Sequence, residues 1–318
     1  MENAIDIKQL TKVYKNLGSK EDKIAVQALS LKIRRASIFG LLGPNGAGKS
    51  TVINIIAGLT NKTSGNVVIW GFDQDKNPMK SRECIGVVPQ ELNFDPFLTP
   101  REALEIQAGL FGVAKKKRRT SEILSALGLT DVSDSYSRSL SGGMKRRLLM
   151  AKALVHSPPI LILDEPTAGV DIDLREMIWN YIEELNNLGT TIVLTTHYLE
   201  EAEKMCDEIA ILNDGVIEKC GETKELLAEL DNKVLIIHPK EKIKSIPALP
   251  KSVLPSIRSD GALVLSFDRS EISVQQLIDM CRRSGLSIRD IATAEPDLKD
   301  IFRLVTKQKP KPSEKMQF

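Results

Sequence analysis

Apolar and polar positions along the chain follow two rhythms, and the changes from one to the other mark out its elements. IDIKQLTKVY at 5 to 14 alternates as a strand does, and SIFGLLG at 37 to 43 is a short apolar run ending at a glycine, the pattern of a buried strand. STVINIIAGL at 50 to 59 has helical spacing, with Val52, Ile53, Ile55, Ile56 and Leu59 apolar and Gly58 near its end. PILILDEP at 159 to 166 and TTIVLTTH at 190 to 197 are continuous apolar runs closed by polar residues, which predicts strands buried on both faces of a mainly parallel sheet. Helical text, DLREMIWNYIEELNNLG at 173 to 189, lies between them, so the class is α/β. From Gln90 to about Ser157 strand patterns stop and helices take over. The first of these helices follows Thr99, with Pro100 suited to its first position and Glu102 able to close a capping box.

Beyond Asp231 short strands and helices interleave: VLIIHP (234 to 239), a proline-broken stretch, ALVLSF (262 to 267), SVQQLIDMCRRSG (273 to 285), LSIRDI (286 to 291) and DLKDIFRLVTK (297 to 307). That predicts a small separate α+β domain over 232–306 after a main domain over 1–231, with an inserted helical subdomain at about 91–157. The proline-rich, charged tail at 307–318 is expected to be disordered. No internal repeat is visible.

Composition narrows the class further. The 318 residues are 42% hydrophobic, and no window reaches the 18 or more consecutive apolar residues of a membrane span. MENAIDIKQL has neither the basic start nor the apolar run of a signal peptide, so a cytoplasmic location is expected unless a partner holds the chain elsewhere. With 44 basic and 42 acidic residues the net charge is +2, too balanced to point to nucleic acid. Cys84, Cys206, Cys220 and Cys281 show no paired spacing, which argues against a zinc site or disulfide framework and for reduced, mostly buried thiols.

Chemistry is concentrated in three places. GPNGAGKS at 43 to 50 fits G-x-x-x-x-G-K-[ST] between a strand and a helix, the context that a phosphate loop requires. Its glycines allow backbone amides to turn inward, and the following helix start favours an anion. Lys49 is expected to reach terminal phosphates, Ser50 to ligate Mg²⁺, and Thr51 to add a hydroxyl. ILILDE at 160 to 165 puts two carboxylates at the carboxyl end of a buried strand, where open α/β sheets bind ligands. Asp164 is expected to hold Mg²⁺. Glu165, one residue on, is expected on the other side of the strand as the general base for an attacking water; the bland alternative is a solvated strand end before Pro166. The third place is a second glycine-rich, cation-rich segment, LSGGMKRRL at 140 to 148, at an expected helix start. Its Lys145, Arg146 and Arg147 either reinforce an anion site or bond within the subdomain. The basic run AKKKRR at 114 to 119 reads as a solvated face, with anionic lipid head groups as the alternative.

GPNGAGKST, LSGGMKRRL, ILILDEP, AGVD at 168 to 171 and His197 after TTIVLTT, in that set of positions, resemble the nucleotide-binding subunit of ATP-binding-cassette (ABC) transporters. PTAGVDIDLR with TTHYLEEAE is similar to the bacterial exporter subfamily that serves drug, antibiotic, polysaccharide or lipid export. The resemblance covers roughly residues 3 to 230, and residues 233 to 306 look like an accessory domain that some such subunits append. It implies a P-loop NTPase core with a mainly parallel sheet, an antiparallel β subdomain and an inserted helical subdomain. It also implies ATP and Mg²⁺ as ligands, with Gly43, Pro44, Asn45, Gly46, Ala47, Gly48, Lys49, Ser50 and Thr51 around the phosphates. Tyr14 would stack on adenine, Gln90 would contact Mg²⁺ and the water, Asp171 would lie in the dimer-contact loop, and His197 would sit on the terminal phosphate. Ser141, Gly142 and Gly143 would be offered to ATP held by a second copy, in a homodimer with two competent sites. A separate multispan permease would hold the subunit on the inner face of the cell membrane and choose the cargo. The rival readings are a soluble cassette ATPase not coupled to transport and a nonhydrolytic scaffold.

Overall fold

In the computed structural model, residues 2–15, 22–228 and 232–306 are described, apart from 242, 244, 245, 248, 251, 259, 269, 270, 295 and 296. Contacts divide the chain into two units, Met1–Glu222 and Thr223–Phe318. Residue 231 and the tail at 307–318, where sequence patterns set a domain boundary and disorder, lie outside the described residues.

The first unit begins with β1 (Asn3–Tyr14), β2 (Lys23–Arg34), β3 (Ile38–Leu42) and α1 (Lys49–Ile56). It continues with β4 (Ser64–Ile69), β5 (Phe72–Asp73), α2 (Pro78–Glu83) and β6 (Ile85–Val88). Helices α3 (Pro100–Leu110), α4 (Thr120–Ala126) and α5 (Gly142–Leu154) follow, then β7 (Ile160–Asp164), α6 (Ile172–Asn187), β8 (Thr191–Thr195), α7 (Leu199–Met205), β9 (Glu208–Asn213) and β10 (Val216–Glu222). Two sheets result. One is antiparallel in the order β2-β1-β4-β5; the other runs β10-β9-β3-β8-β7-β6, parallel throughout except for the β9–β10 hairpin.

Helix α1 supplies the link between the sheets. Its Val52, Ile53, Ile55 and Ile56 share one buried cluster with Ile5, Ile7, Leu29 and Leu31 of the antiparallel sheet and Phe39, Leu41, Ile160 and Ile162 of the parallel one. The helix stops at Ile56 because Gly58 turns left-handed, at φ +69°, so Leu59 leaves the apolar stripe that its spacing suggested and is exposed. The parallel strands form because runs such as Ile160–Leu163 have no solvent-facing position: all four residues are 0% exposed.

Helix α3 has the full capping box, with the Thr99 hydroxyl accepting from the Glu102 amide and the Glu102 carboxylate accepting from the Thr99 amide. Two strands of the first unit that the apolar pattern did not mark, β2 and β6, have identifiable reasons. β2 carries a register shift where Ala28 adopts φ +46°, which breaks its alternation. β6 is four residues long and is cut off by Pro89. β9 and β10 are joined through Asp214 and Gly215, both at positive φ, the two-residue hairpin turn that Asp-Gly favours.

The second unit comprises α8 (Thr223–Ala228), β11 (Asn232–Pro239), β12 (Leu254–Ile257), β13 (Leu263–Asp268), α9 (Val274–Arg283), β14 (Ile288–Ala294) and α10 (Leu298–Thr306). Its sheet is antiparallel in the order β12-β13-β11-β14. Its own core joins Leu235, Ile237, Leu263, Leu265 and Phe267 to Leu277 and Cys281 of α9. Among the described residues no helix is long and apolar enough to cross a membrane.

Candidate nucleotide site

The loop between β3 and α1 is shaped by contacts that only glycine permits. A Cβ on Gly43 would lie 2.2 Å from the Leu212 carbonyl oxygen, and one on Gly48, at φ +104°, 2.4 Å from that of Ala25. Gly46 behaves differently, since nothing stands within 4 Å of the space its Cβ would take. Pro44 closes the turn by accepting from the Ala47 amide, and the Ala47 side chain is anchored in the core. The Lys49 ammonium curls back to donate to the carbonyls of Gly43 (2.7 Å) and Pro44 (3.1 Å). Burial pulls its pKa below the ordinary lysine value, opposed by the negative charge of Glu165 and Asp164. A cavity of about 470 Å³ opens over this loop, lined by Tyr14, Lys23, Ala25, Asn45, Gly46, Gly48, Lys49, Ser50, Thr51, Gln90, Asp164 and Glu165.

Sheet order explains why residues so distant in sequence meet there. β3, β8, β7 and β6 are consecutive neighbours, so the loop at 43–51, His197, the Asp164–Glu165 pair and Gln90 all issue from their carboxyl ends. Gln90 Nε2 donates to Glu165 Oε2 at 3.0 Å, and His197 Nδ1 lies 3.4 Å from the same oxygen. Thr195, wholly buried, donates its hydroxyl to Asp164 Oδ1 at 2.5 Å and accepts the Glu165 amide at 3.1 Å.

One expectation from strand geometry is corrected here. β7 ends at Asp164, and Glu165 has φ +49°, in the left-handed region, so side-chain alternation does not extend to it. Both carboxylates line one cavity instead of opposite sides of a strand. The Thr195 carbonyl and hydroxyl, both accepting from the Glu165 amide, hold this turn in place.

The second glycine-rich segment stands apart. Ser141 caps α5 by accepting from the Met144 amide, Gly142 faces open space, and a Cβ on Gly143 would meet Leu174 Cδ2 at 2.4 Å. Asp171 likewise caps α6, accepting from the Leu174 amide at 2.9 Å. None of Ser141, Gly142, Gly143 and Asp171 lines the cavity, and Ser141, Gly142 and Asp171 are exposed. The cations after the glycines bond within the chain: Arg147 donates to the carbonyls of Leu127 and Gly128, and Arg146 to those of Pro89 and Gln90. In the basic run, Lys115–Lys117 are exposed, while Arg118 pairs with Glu105 at 2.6 Å and Arg119 with Glu122.

Sequence patterns missed a further cluster behind the site. Glu201 on α7 accepts from Thr167 at 2.8 Å and from Thr196 at 3.4 Å, and its other oxygen is 3.3 Å from Arg175 Nε. The Arg175 guanidinium lies over the Tyr198 ring, so one carboxylate gathers the segments that carry Glu165, Asp171 and His197. The only signal for it was a glutamate one turn beyond the histidine, which helical solvation would equally explain. Among the described residues no group of three His, Cys, Asp or Glu side chains could form a metal cage.

The comparisons with known proteins converge. Residues 26–168 match the ABC transporter family. The chain is 39% identical over 298 residues to the linearmycin resistance ATP-binding protein LnrL of Bacillus subtilis, spanning 89% of this chain and 94% of that protein. It is 35% identical over 308 residues to the Nod factor export ATP-binding protein I of Rhizobium etli, spanning 95% and 93%. Among solved structures, an ATP binding subunit of an ABC transporter aligns with TM-score 0.64 and 27% identity, covering 71% of this chain and 92% of that one. A dimeric cassette in a post-hydrolysis state bound to ADP and Pi aligns with TM-score 0.62 and 31% identity, covering 69% of this chain and 98% of that one. With its phosphate loop, paired carboxylates and second glycine-rich helix start, the chain belongs to the ABC transporter family, as one of its ATP-binding, ATP-hydrolysing subunits.

Proposed function

We propose that two copies of this chain close head to tail around two ATP molecules, and that closing and reopening drive a separate membrane permease that exports a drug, lipid or polysaccharide. The observation that carries this reading is the division of the motifs. Lys49, Gln90, Asp164 and Glu165 line one cavity, while Ser141, Gly142 and Asp171 are exposed outside it. A second copy would complete each site, so nucleotide binding would be linked to association. Export is supported by relatives named for Nod factor export and linearmycin resistance. In this reading the subunit is cytoplasmic and peripheral on the inner face of the membrane. Its permease would bind between the α/β core and the helical region near Gln90–Thr99, and nucleic acid has no part.

Within each site Tyr14 would stack on adenine and the backbone amides from Asn45 to Thr51 would cradle phosphates. Lys49 would exchange its two carbonyl partners for phosphate oxygens. Ser50, Asp164 and Gln90 offer hydroxyl, carboxylate and amide oxygens, a donor set that fits Mg²⁺, which commonly takes few protein ligands. Bound there, Mg²⁺ would neutralise phosphate charge. Glu165 would accept the proton of the attacking water, Gln90 would hold that carboxylate through its amide, and His197 would stabilise the terminal phosphate from beside it.

Glu165→Gln tests this. Hydrolysis should fall about 10²- to 10⁴-fold, some 3–5 kcal/mol of barrier, with ATP binding intact and an ATP-dependent dimer accumulating in light scattering. An unchanged rate would refute the assignment of the base. Purification from solubilised membranes should bring down a multispan protein; an ATPase wholly unpartnered in cells would count against transport.

A further inference from the structure

Arg146 lies in the second turn of α5, four residues after Gly142, yet it is only 5% exposed. Its Nη1 donates to the carbonyls of Pro89 at 2.9 Å and Gln90 at 3.1 Å. The adjacent cations behave otherwise: Lys145 lies over the Phe94 ring, and Arg147 bonds to Leu127 and Gly128 inside the helical region. Gln90 in turn donates to Glu165. The helix capped by Ser141 is therefore joined to the Glu165 carboxylate by one guanidinium and one amide.

A guanidinium is costly to bury, and burial lowers the pKa of this one, opposed by the charges of Asp164 and Glu165. An apolar side chain would fill the same space at less cost. What the guanidinium adds is a two-pronged hold on the backbone at 89–90, which aims the Gln90 amide.

We propose that Arg146 is a positioning residue, fixing the Gln90 backbone and through it the Glu165 carboxylate, and so tying the Ser141–Gly143 helix start of each subunit to Glu165 of the same subunit. This rests on the reading that Ser141–Gly143 meet ATP held by the opposite copy. Nucleotide on one subunit's Ser141 then bears on that subunit's own Glu165, and hydrolysis at the two sites is linked.

Full-length Arg146→Met and Arg146→Lys test it through hydrolysis measured across ATP concentration. In Arg146→Met kcat should fall about 10- to 100-fold while KM for ATP moves less than about threefold. The Hill coefficient should fall towards one, and Arg146→Lys, which keeps a donor, should recover part of the rate. A purely structural role would lower Tm without that split. Unchanged kcat in a folded variant, or a KM that rises in step with the fall in kcat, overturns the proposal; if Arg146→Met does not fold, Arg146→Lys decides on the same criteria. The dimer reading fails separately, if Ser141→Arg in a Glu165→Gln background still associates with ATP.

Discussion

Thr195→Val removes one hydroxyl from beneath the paired carboxylates and little else. The side chain is 0% exposed, and valine has almost its shape, so no cavity forms. Two hydrogen bonds are affected. Asp164 Oδ1 loses a donor at 2.5 Å, a bond to a carboxylate that contributes about 1.5–3 kcal/mol. The Glu165 amide loses an acceptor but keeps its 3.1 Å bond to the Thr195 carbonyl, so it is not orphaned. The first effect dominates, and the first unit should lose about 2 kcal/mol, a roughly 30-fold change in its folding equilibrium. Both tryptophans, Trp70 and Trp179, lie in this unit, so their fluorescence during urea unfolding reports on it without contribution from the second. Hydrolysis should fall about tenfold as the Asp164 carboxylate gains rotational freedom. Thr195→Ser keeps the hydroxyl and should keep most of the rate. A valine variant within about 0.5 kcal/mol of the parent and with unaltered turnover would refute the role given to this hydroxyl.

Ser141→Arg should cost about 1 kcal/mol through loss of the α5 cap, leave ATP binding to the isolated subunit intact, and abolish both dimer and hydrolysis; surviving hydrolysis would make the two glycine-rich segments independent. Gly48→Ala should lose nucleotide binding measured by calorimetry, because its Cβ meets backbone at 2.4 Å, whereas Gly46→Ala, with open space and only backbone strain, should lose far less; equal effects would argue against steric shaping of the loop. His156 stacks on Phe111 and, through its Nε2–H, donates to the Ile85 carbonyl, while burial holds its pKa below the ordinary 6.5. The unfolded chain then binds the extra proton first, so this contribution is complete above about 6.5 and is lost progressively as pH falls below that value through the lower folded pKa, by at most about tenfold per pH unit for a single proton. Tryptophan-monitored unfolding of His156→Gln should flatten that slope, and a slope that persists would assign it elsewhere.

The phosphate loop was legible because ligand geometry dictates its glycines and lysine at fixed spacing, and the buried strands because a strand covered on both faces reads as a nearly continuous apolar run. What sequence patterns did not reveal follows from interactions without a period. Ala28 bends β2 out of its alternation, and β12, LPSI, is exposed at all four positions with Pro255 in it, so no apolar face marks it. Within the site, the left-handed backbone at Glu165 is set by acceptors on β8, thirty residues away. Arg146 read as one of three equivalent cations, and only the tertiary structure separates it from Lys145 and Arg147.

The adjacency of β3, β8, β7 and β6 also sets a timescale. Leu163 is paired with Val88 on one side and Leu194 on the other, and Leu194 is paired in turn with Gly40. Amides in such a position exchange with solvent only when the whole unit opens, while turns beyond the strand ends exchange through small local fluctuations. Asp164 and His197 stand within a few residues of these slowest amides. The exposed loop around Asp171 lies further out along its connection. Local fluctuation of that exposed loop can then recur many times over without opening the strand end that carries Asp164.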